Sequence, residues 1–250
     1  MRAKLGQNFL IDNDIAKREV NYANISNNDV VLEIGPGRGI LTKLLAKKAK
    51  KVVAIEIDKT LVNDLKNLLP DNVEIINEDV IKADFYKLPK FNKIVANLPF
   101  QISSPITFKI LDYDFDLAIL IYQKEFADRL VASPGSKDYS RLTVNVYYKA
   151  VCEILEIVPS ICFKPQPKVD SCIVKIIKRQ KPPFFITNEK FFFDLVKKLF
   201  NKRRKKIKNT VTEIVEIKNL DALFLDNRVE ELSPEEIGKL SNLLYNLINS

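Results

Sequence analysis

Four residues, Asn97-Leu98-Pro99-Phe100, bring a side-chain amide, a proline and an aromatic ring together directly after the apolar run Lys93-Ile94-Val95-Ala96. The run reads as a buried parallel strand, and in open α/β sheets the C-terminal strand edge is where ligands bind. Proline fixes its own φ and holds Leu98 extended, so the carbonyls of this turn point in set directions. Asn97 supplies a side-chain acceptor and Phe100 a flat apolar face. Such a set can grip a planar amino-bearing ring, its –NH2 by acceptors and its face by stacking. Adenine is such a ring. A strand end closed by a proline turn over a core phenylalanine is the plainer reading of the same four residues, and both stand at this point.

Acidic residues recur at the same kind of position. Val52-Val53-Ala54-Ile55 ends at Glu56, and Val73-Glu74-Ile75-Ile76 leads to Asn77-Glu78-Asp79. An acid about 20 positions beyond a glycine turn is where a ribose diol is gripped in such folds, which suits Glu56. Asp79 could accept from an adenine amine, and Glu78 beside it can simply face solvent. The turn itself is Gly35-Pro36-Gly37-Arg38-Gly39, after the strand Val30–Ile34 and before a helix opening at Ile40. Strand, glycine turn and helix in that order make a nucleotide-binding βα unit, because glycines let the backbone pass close to a ligand. The dinucleotide fingerprint would need glycine at position 40, which is Ile40, and the phosphate loop would need Gly-Lys-Ser/Thr. The pattern is instead E-x-G-x-G-x-G from Glu33, which need not cradle a phosphate and suits an uncharged or cationic nucleoside. Ahead of it, Gln7-Asn8 between Gly6 and Phe9 could fold over a ligand or form an arm tacked to the surface.

Composition narrows the chemistry further. There is no histidine in the 250 residues, which removes every Ser-His-Asp or Cys-His mechanism and makes a typical zinc site unexpected. Cys152, Cys162 and Cys172 are odd in number and widely spaced, so they read as buried free thiols. With 46% hydrophobic residues, the chain can build a proper core. No apolar run approaches the roughly 20 residues that span a bilayer, and Met1–Lys4 lacks the apolar stretch of a secretory signal, so a cytoplasmic protein is expected. A net charge of +8 favours a polyanionic partner, nucleic acid before a membrane surface.

The elements that position these residues alternate as strand and helix. Helices are expected from Ile15 to about Ala23, from Ile40 to Ala46, from a start at Ser103-Ser104-Pro105 through Ile106 to Leu111, and from Gln123 to Val131. Strands are expected at 116–121, 151–158 and 171–177, with a polar loop at Ser133–Tyr139. Between the last two strands, Phe163-Lys164-Pro165-Gln166-Pro167-Lys168-Val169-Asp170 reads as an extended basic loop, suited to a phosphate backbone or to a rigid connection. Lys181-Pro182-Pro183 marks an expected boundary between a domain of residues 1–181 and a helical one of 182–250. Phe192, Leu195, Val196, Leu199 and Phe200 fall on one helical face, and Ser233-Pro234-Glu235-Glu236 caps a last helix running toward Asn249. Lys202-Arg203-Arg204-Lys205-Lys206 is a dense cationic block; beside a nucleotide-type domain it reads as a nucleic-acid contact, and otherwise as a solvated helix face.

Taken together, the motifs resemble those of the small-subunit ribosomal RNA adenine dimethyltransferases, the KsgA type. The resemblance runs along nearly the whole chain through Gly6-Gln7-Asn8-Phe9-Leu10, Glu33-x-Gly35-x-Gly37-x-Gly39, Glu56, Glu78-Asp79, Asn97–Phe100, Phe163-x-Pro165-x-Pro167-Lys168-Val169-Asp170-Ser171, and Arg203-Arg204 with Asn209. It implies an α/β class I S-adenosylmethionine-dependent methyltransferase fold, a seven-stranded, mostly parallel sheet with its last strand antiparallel, plus a small all-helical C-terminal domain. The methyl donor would touch Asn8, Leu10, Gly35, Glu56, Asp79 and Asn97, with no metal. Asn97, Leu98, Pro99 and Phe100 would form the catalytic turn, and Lys168 with Lys202–Lys206 would meet RNA. The implied reaction converts two adjacent adenosines near the 3′ end of small-subunit rRNA to N6,N6-dimethyladenosine on an assembling 30S-type subunit, by a monomer. The family usually has tyrosine where this chain has Phe100, which keeps the stacking face and loses a hydroxyl. Large-subunit relatives that methylate one adenine more often have isoleucine in place of Leu98. A non-catalytic RNA-binding scaffold would be expected to lose Glu56 or the Asn97 turn, and a small-molecule methyltransferase would not need the cationic block.

Residue chemistry points the same way. An exocyclic adenine amine is a poor nucleophile because its lone pair is delocalised into the ring. Acceptors from Asn97 and the Leu98 carbonyl would favour a pyramidal nitrogen, and stacking on Phe100 would hold an unstacked base in line. The alkylated nitrogen is acidic enough to lose its proton afterwards, so no histidine is needed.

Overall fold

A computed structural model describes residues 7–213 and 224–249. The expectations that touch Met1–Lys4 and Gly6 lie outside them. The chain divides into two compact units, residues 1–127 with 151–178, and residues 128–150 with 179–250.

The first unit is built on β2 (Val30–Ile34), β3 (Lys51–Glu56), β4 (Val73–Asn77), β5 (Lys93–Asn97), β6 (Leu117–Gln123), β7 (Ala150–Val158) and β9 (Ser171–Lys178). Their order across the sheet is β4-β3-β2-β5-β6-β9-β7. Neighbours from β4 to β6 run parallel, whereas β9 lies antiparallel to β6, with Ile119 opposite Lys175 and Ile121 opposite Ile173. Central strands are buried on both faces, which is why they read as unbroken apolar runs: Val31, Leu32, Val52, Val53, Ile94 and Val95 are fully enclosed. The helices α1 (Asn13–Tyr22), α2 (Ile40–Ala46), α3 (Lys59–Lys66) and α4 (Ser103–Asp112) connect or precede these strands. From β2 the chain steps outward to β3 and β4, then returns to β5 on the other side of β2. That reversal opens a crevice at the C-terminal ends of β2 and β5.

The N-terminal arm, expected either to fold over a ligand or to be tacked to the surface, is tied down by a short strand pair. β1 (Phe9–Leu10) pairs antiparallel with β8 (Phe163–Lys164), and the Ile11 amide donates to the Cys162 carbonyl at 2.9 Å. Leu10 and Phe163 are both buried in the same core cluster. The start of the expected basic loop is therefore a strand that pins the arm, and Lys168 is left exposed farther along.

α5 (Lys124–Leu130) follows β6 directly. In the second unit, α6 (Arg141–Lys149), α7 (Glu189–Asn201), α8 (Lys208–Val211) and α9 (Pro234–Asn249) enclose an aromatic-rich core. Tyr148 of α6 lies 5.4 Å from Phe192 and 5.2 Å from Phe184, centroid to centroid, and Val144 joins Leu195, Ile237 and Leu244 in the same cluster. Residues 128–150 thus pack with the C-terminal helices, so the partition differs from the expected single cut after residue 181. Burying the apolar face of α6 requires partners that arrive some 40 residues later in the chain. Ser233 and Glu236 form the expected reciprocal cap, the Ser233 amide donating to Glu236 at 2.8 Å and the Glu236 amide to Ser233 Oγ at 3.2 Å.

Candidate active site

The glycine turn sets the floor of the crevice. Gly35, Gly37 and Gly39 have φ of +70°, +56° and +77°, the left-handed region. At two of them space is also closed. A Cβ on Gly37 would lie 2.9 Å from Phe9 Cδ1, and one on Gly39 would lie 2.8 Å from Leu65 Cδ2. The arm therefore packs on the turn through Phe9, whose ring lies 5.3 Å from the Arg38 guanidinium.

Glu56, the last residue of β3, ties the turn to its neighbour strand. Its Oε2 accepts from the Gly37 amide at 3.2 Å and its Oε1 from the Asp58 amide at 2.9 Å. Burial pushes its pKa up, and the amides of Asp58, Gly37 and Ile57 pull against that rise. Asp79 stands just beyond β4, where its Oδ1 accepts from the Ile81 amide at 3.0 Å and its carbonyl from the amides of Lys82 and Ala83. A closed turn, 79–83, thus carries the second carboxylate.

Asn97 ends β5. Its Nδ2 donates to the Asn8 carbonyl at 3.2 Å, so the arm fixes the amide and leaves Oδ1 as the outward acceptor. Beyond it, the Ile102 amide donates to the Pro99 carbonyl and Ser103 Oγ to the Phe100 carbonyl, each at 3.0 Å, closing the turn into α4.

One cleft is lined by Gln7, Asn8, Phe9, Gly35, Gly37, Glu56, Ile57, Glu78, Asp79, Val80, Asn97, Pro99, Gln101 and Ile102, among others. It brings together Asn8, Gly35, Glu56, Asp79, Asn97 and Pro99 as the sequence suggests. Leu10 and Leu98 are not part of the lining, because their side chains are 5% and 2% exposed and sit in the core. Phe100 is half-buried at the start of a short 3-10 turn and is also absent from the lining. Sequence reasoning missed Ile57, Val80, Gln101 and Ile102. Ile57 had a usable signal, an aliphatic residue directly after the strand-end acid and half-exposed in the fold.

A second unread feature lies close to the turn. Glu33 on β2 and Glu19 on α1 are fully buried, and both oxygens of Glu19 and Oε2 of Glu33 have no hydrogen-bond partner among the described residues. Burial and the nearby Glu56 carboxylate push Glu33 up to about 8. Burial and Glu33 hold Glu19 well above the usual carboxylate range.

In the second unit, the cationic block is divided. Arg203 is held internally: its guanidinium donates to the carbonyls of Lys137 at 2.8 Å and Ser136 at 3.0 Å and pairs with Glu230. Lys202 pairs with Glu213, and Lys206 shares Asp226 with Lys208 at 3.0 and 2.8 Å. Arg204 and Lys205 are exposed with no ion pair among the described residues, beside an open cleft of ≈ 670 Å³ that Phe200 and Arg228 also line. Among those residues there is no cluster of metal-ligating side chains, and no helix is long and apolar enough to cross a membrane.

The strand order, the antiparallel β9 beside β6 and the glycine turn at the point of reversal define a Rossmann-like methyltransferase. The family model for ribosomal RNA adenine dimethylase matches residues 1–246, and the chain belongs to that family. It is 47% identical to a protein of Methanococcus aeolicus named probable ribosomal RNA small subunit methyltransferase A, over 98% of this chain and 97% of that one. A protein of the same name from Methanosarcina acetivorans is 46% identical over 96% and 93%. Among solved structures, a dimethyladenosine transferase from Plasmodium falciparum matches with a TM-score of 0.79 at 32% identity, covering 95% of this chain and 96% of that one. The 23S rRNA methyltransferase ErmE matches with a TM-score of 0.69 at 28% identity, covering 96% and 100%. Methyltransferases of this family and fold use S-adenosylmethionine, and the family's substrate is rRNA.

Proposed function

We propose that this enzyme dimethylates N6 of two adjacent adenosines near the 3′ end of small-subunit rRNA, acting in the cytoplasm as a monomer on an assembling 30S-type subunit. The observation that carries this reading is the Asn97 amide, oriented by the Asn8 carbonyl, at the same cleft as Glu56 and Asp79. Residues of the cleft fit the methyl donor: Gly35 and Gly37 leave a floor that side chains would fill, Glu56 offers a carboxylate to a ribose diol, and Asp79 an acceptor to an adenine amine. When bound, S-adenosylmethionine supplies an electrophilic sulfonium methyl.

The chain's own groups do the rest. Asn97 Oδ1 and the Leu98 carbonyl accept from the target amine, which turns its lone pair out of conjugation. Pro99 fixes the backbone that aims both acceptors, and the Leu98 side chain anchors that backbone in the core. Phe100 stacks on the everted base. Arg204, Lys205 and Lys168, exposed and unpaired among the described residues, meet phosphates. The small-subunit assignment is supported by the two archaeal relatives named above, which match at higher identity than ErmE does. Incubating the protein with undermethylated small subunits and labelled donor, then mapping the modified bases, tests this. Two neighbouring N6,N6-dimethyladenosines are expected. Label on large-subunit rRNA, or none, overturns the reading.

A further inference from the structure

We propose that Lys109 is a positioning residue for the methyl-donor site, clamping the Asp79 turn to the helix that carries the acceptor wall. Lys109 sits on α4, whose preceding turn contributes Pro99, Gln101 and Ile102 to the cleft. Its ammonium donates to the Ile81 carbonyl at 2.9 Å and to the Ala83 carbonyl, both in the turn that Asp79 opens. The same ammonium lies 4.7 Å from the Phe85 ring centroid. Phe85 is itself fixed edge-on against Phe91 and Tyr113, at 5.8 and 5.9 Å. Glu78, Asp79 and Asp84 supply the surrounding negative field, which opposes the loss of charge that desolvation favours.

The arrangement is specific in what it joins. Asp79 uses one carboxylate oxygen and its own carbonyl to close the turn from its N-terminal side, through the amides of Ile81, Lys82 and Ala83. Carbonyls on the C-terminal side have no such partner within the turn, and Lys109 takes two of them. A tethered, half-buried ammonium thus completes a turn that would otherwise lean on solvent, and it does so from the element following Asn97. Donor wall and acceptor wall move as one body because one side chain is bonded to the first and rooted in the second.

This inference rests on the cleft being the donor site. Its test uses the full-length protein, S-adenosylhomocysteine as the probe, and amide hydrogen exchange. Lys109→Met is expected to weaken S-adenosylhomocysteine binding about tenfold by calorimetry. It should raise KM for the donor about as much, and lower kcat at saturating donor by less than about threefold. In the free protein, amides of residues 81–83 should exchange faster while those of β2 and β5 keep their protection. Lys109→Arg, which retains charge and donors, should recover most of the affinity; should the methionine variant not fold, Lys109→Gln carries the same readouts. Unchanged affinity and exchange in the variant, with Asp79→Ala still weakening the probe, overturns the clamp alone. Absence of probe binding by the wild-type protein overturns the donor site and the clamp with it.

Discussion

In the first unit, Glu56 and Asn97 are the last residues of parallel strands, and Gly35 and Asp79 lie one and two positions past the ends of theirs; in the second, five consecutive cations follow the end of a single helix. Neighbouring strands hold the first set in register, so each group's place follows from where its strand stops. Nothing comparable constrains the cations. Their roles are allotted by partners far away in the chain: Glu230, 27 residues on, and the carbonyls of Ser136 and Lys137, 67 and 66 residues back, claim Arg203. A site built on strand ends is thus a set of groups each placed by its own strand. A cationic run is a pool from which the fold draws struts and leaves the remainder exposed.

The sharpest break between the two regions should come from Asn97→Ala. Loss of the oriented acceptor should lower methyl transfer by about 10³-fold, the upper end of the range for removal of one preorganised polar contact to a reacting centre. Binding of the donor, measured by calorimetry, should fall only modestly, since Glu56 and Asp79 remain. Turnover near the wild-type rate would take Asn97 out of the chemistry and make the strand-end rule a matter of binding alone.

Next in size is a stability effect from the buried acids near the glycine turn. Glu33, neutral in the fold up to about pH 8, ionises in the unfolded chain near the ordinary glutamate value of 4.5. Above 4.5 the unfolded state therefore releases a proton that the folded state keeps. Stability from this group is full below pH 4.5 and is lost as pH rises toward 8, by on the order of 3–4 kcal/mol. Glu19 acts in the same direction. Glu19→Leu should raise stability at pH 8 and flatten the profile between pH 5 and 8, as read by urea unfolding. A profile rising with pH would mean that both carboxylates are ionised in the fold.

Phe100→Ala should cost about 1–3 kcal/mol in transition-state stabilisation, the range for base stacking on an aromatic. It is read as a roughly 5- to 150-fold fall in kcat/KM. Because Phe100 lies outside the cleft lining, donor affinity should not change, and a shift there would place the ring on the donor rather than on the base.

These expectations also mark how far the chain could be read without its fold. Parallel strands were legible because burial on both faces leaves unbroken apolar runs, and with them came Glu56, Asp79 and Asn97. The caps were legible too, since Ser233 and Glu236 are three residues apart and need no distant partner. Helix α6 was not, because its apolar face, Val144 and Tyr148, is matched to Phe192 and Leu195 across more than 40 residues, and its position between strands hides that allegiance. Nor was the β1–β8 pair, two residues on each strand and too short for any periodicity. Leu10 and Leu98 show a further limit. A motif names which residues surround a site, and only packing says which present a side chain to it and which contribute backbone while their side chains fill the core.

The cations give the smallest effects and the most direct check on the contrast. Arg203→Ala should destabilise the second unit by about 1–2 kcal/mol, because Glu230 and two carbonyls lose a donor that is only partly in water. The salt dependence of RNA binding should stay as it was. Replacing Arg204 and Lys205 by glutamate should leave stability within about 0.5 kcal/mol, as for exposed positions that form no ion pair among the described residues. It should also reduce the slope of log Kd against log salt by roughly 0.7–0.9 for each phosphate that is no longer neutralised. Measured together, the two variants separate strut from RNA-facing charge within three adjacent residues. If Arg203→Ala flattened the slope while the Arg204 and Lys205 substitutions did not, the internal bonds of Arg203 would be ones that RNA displaces, and the roles of strut and RNA-facing charge would be exchanged within the block.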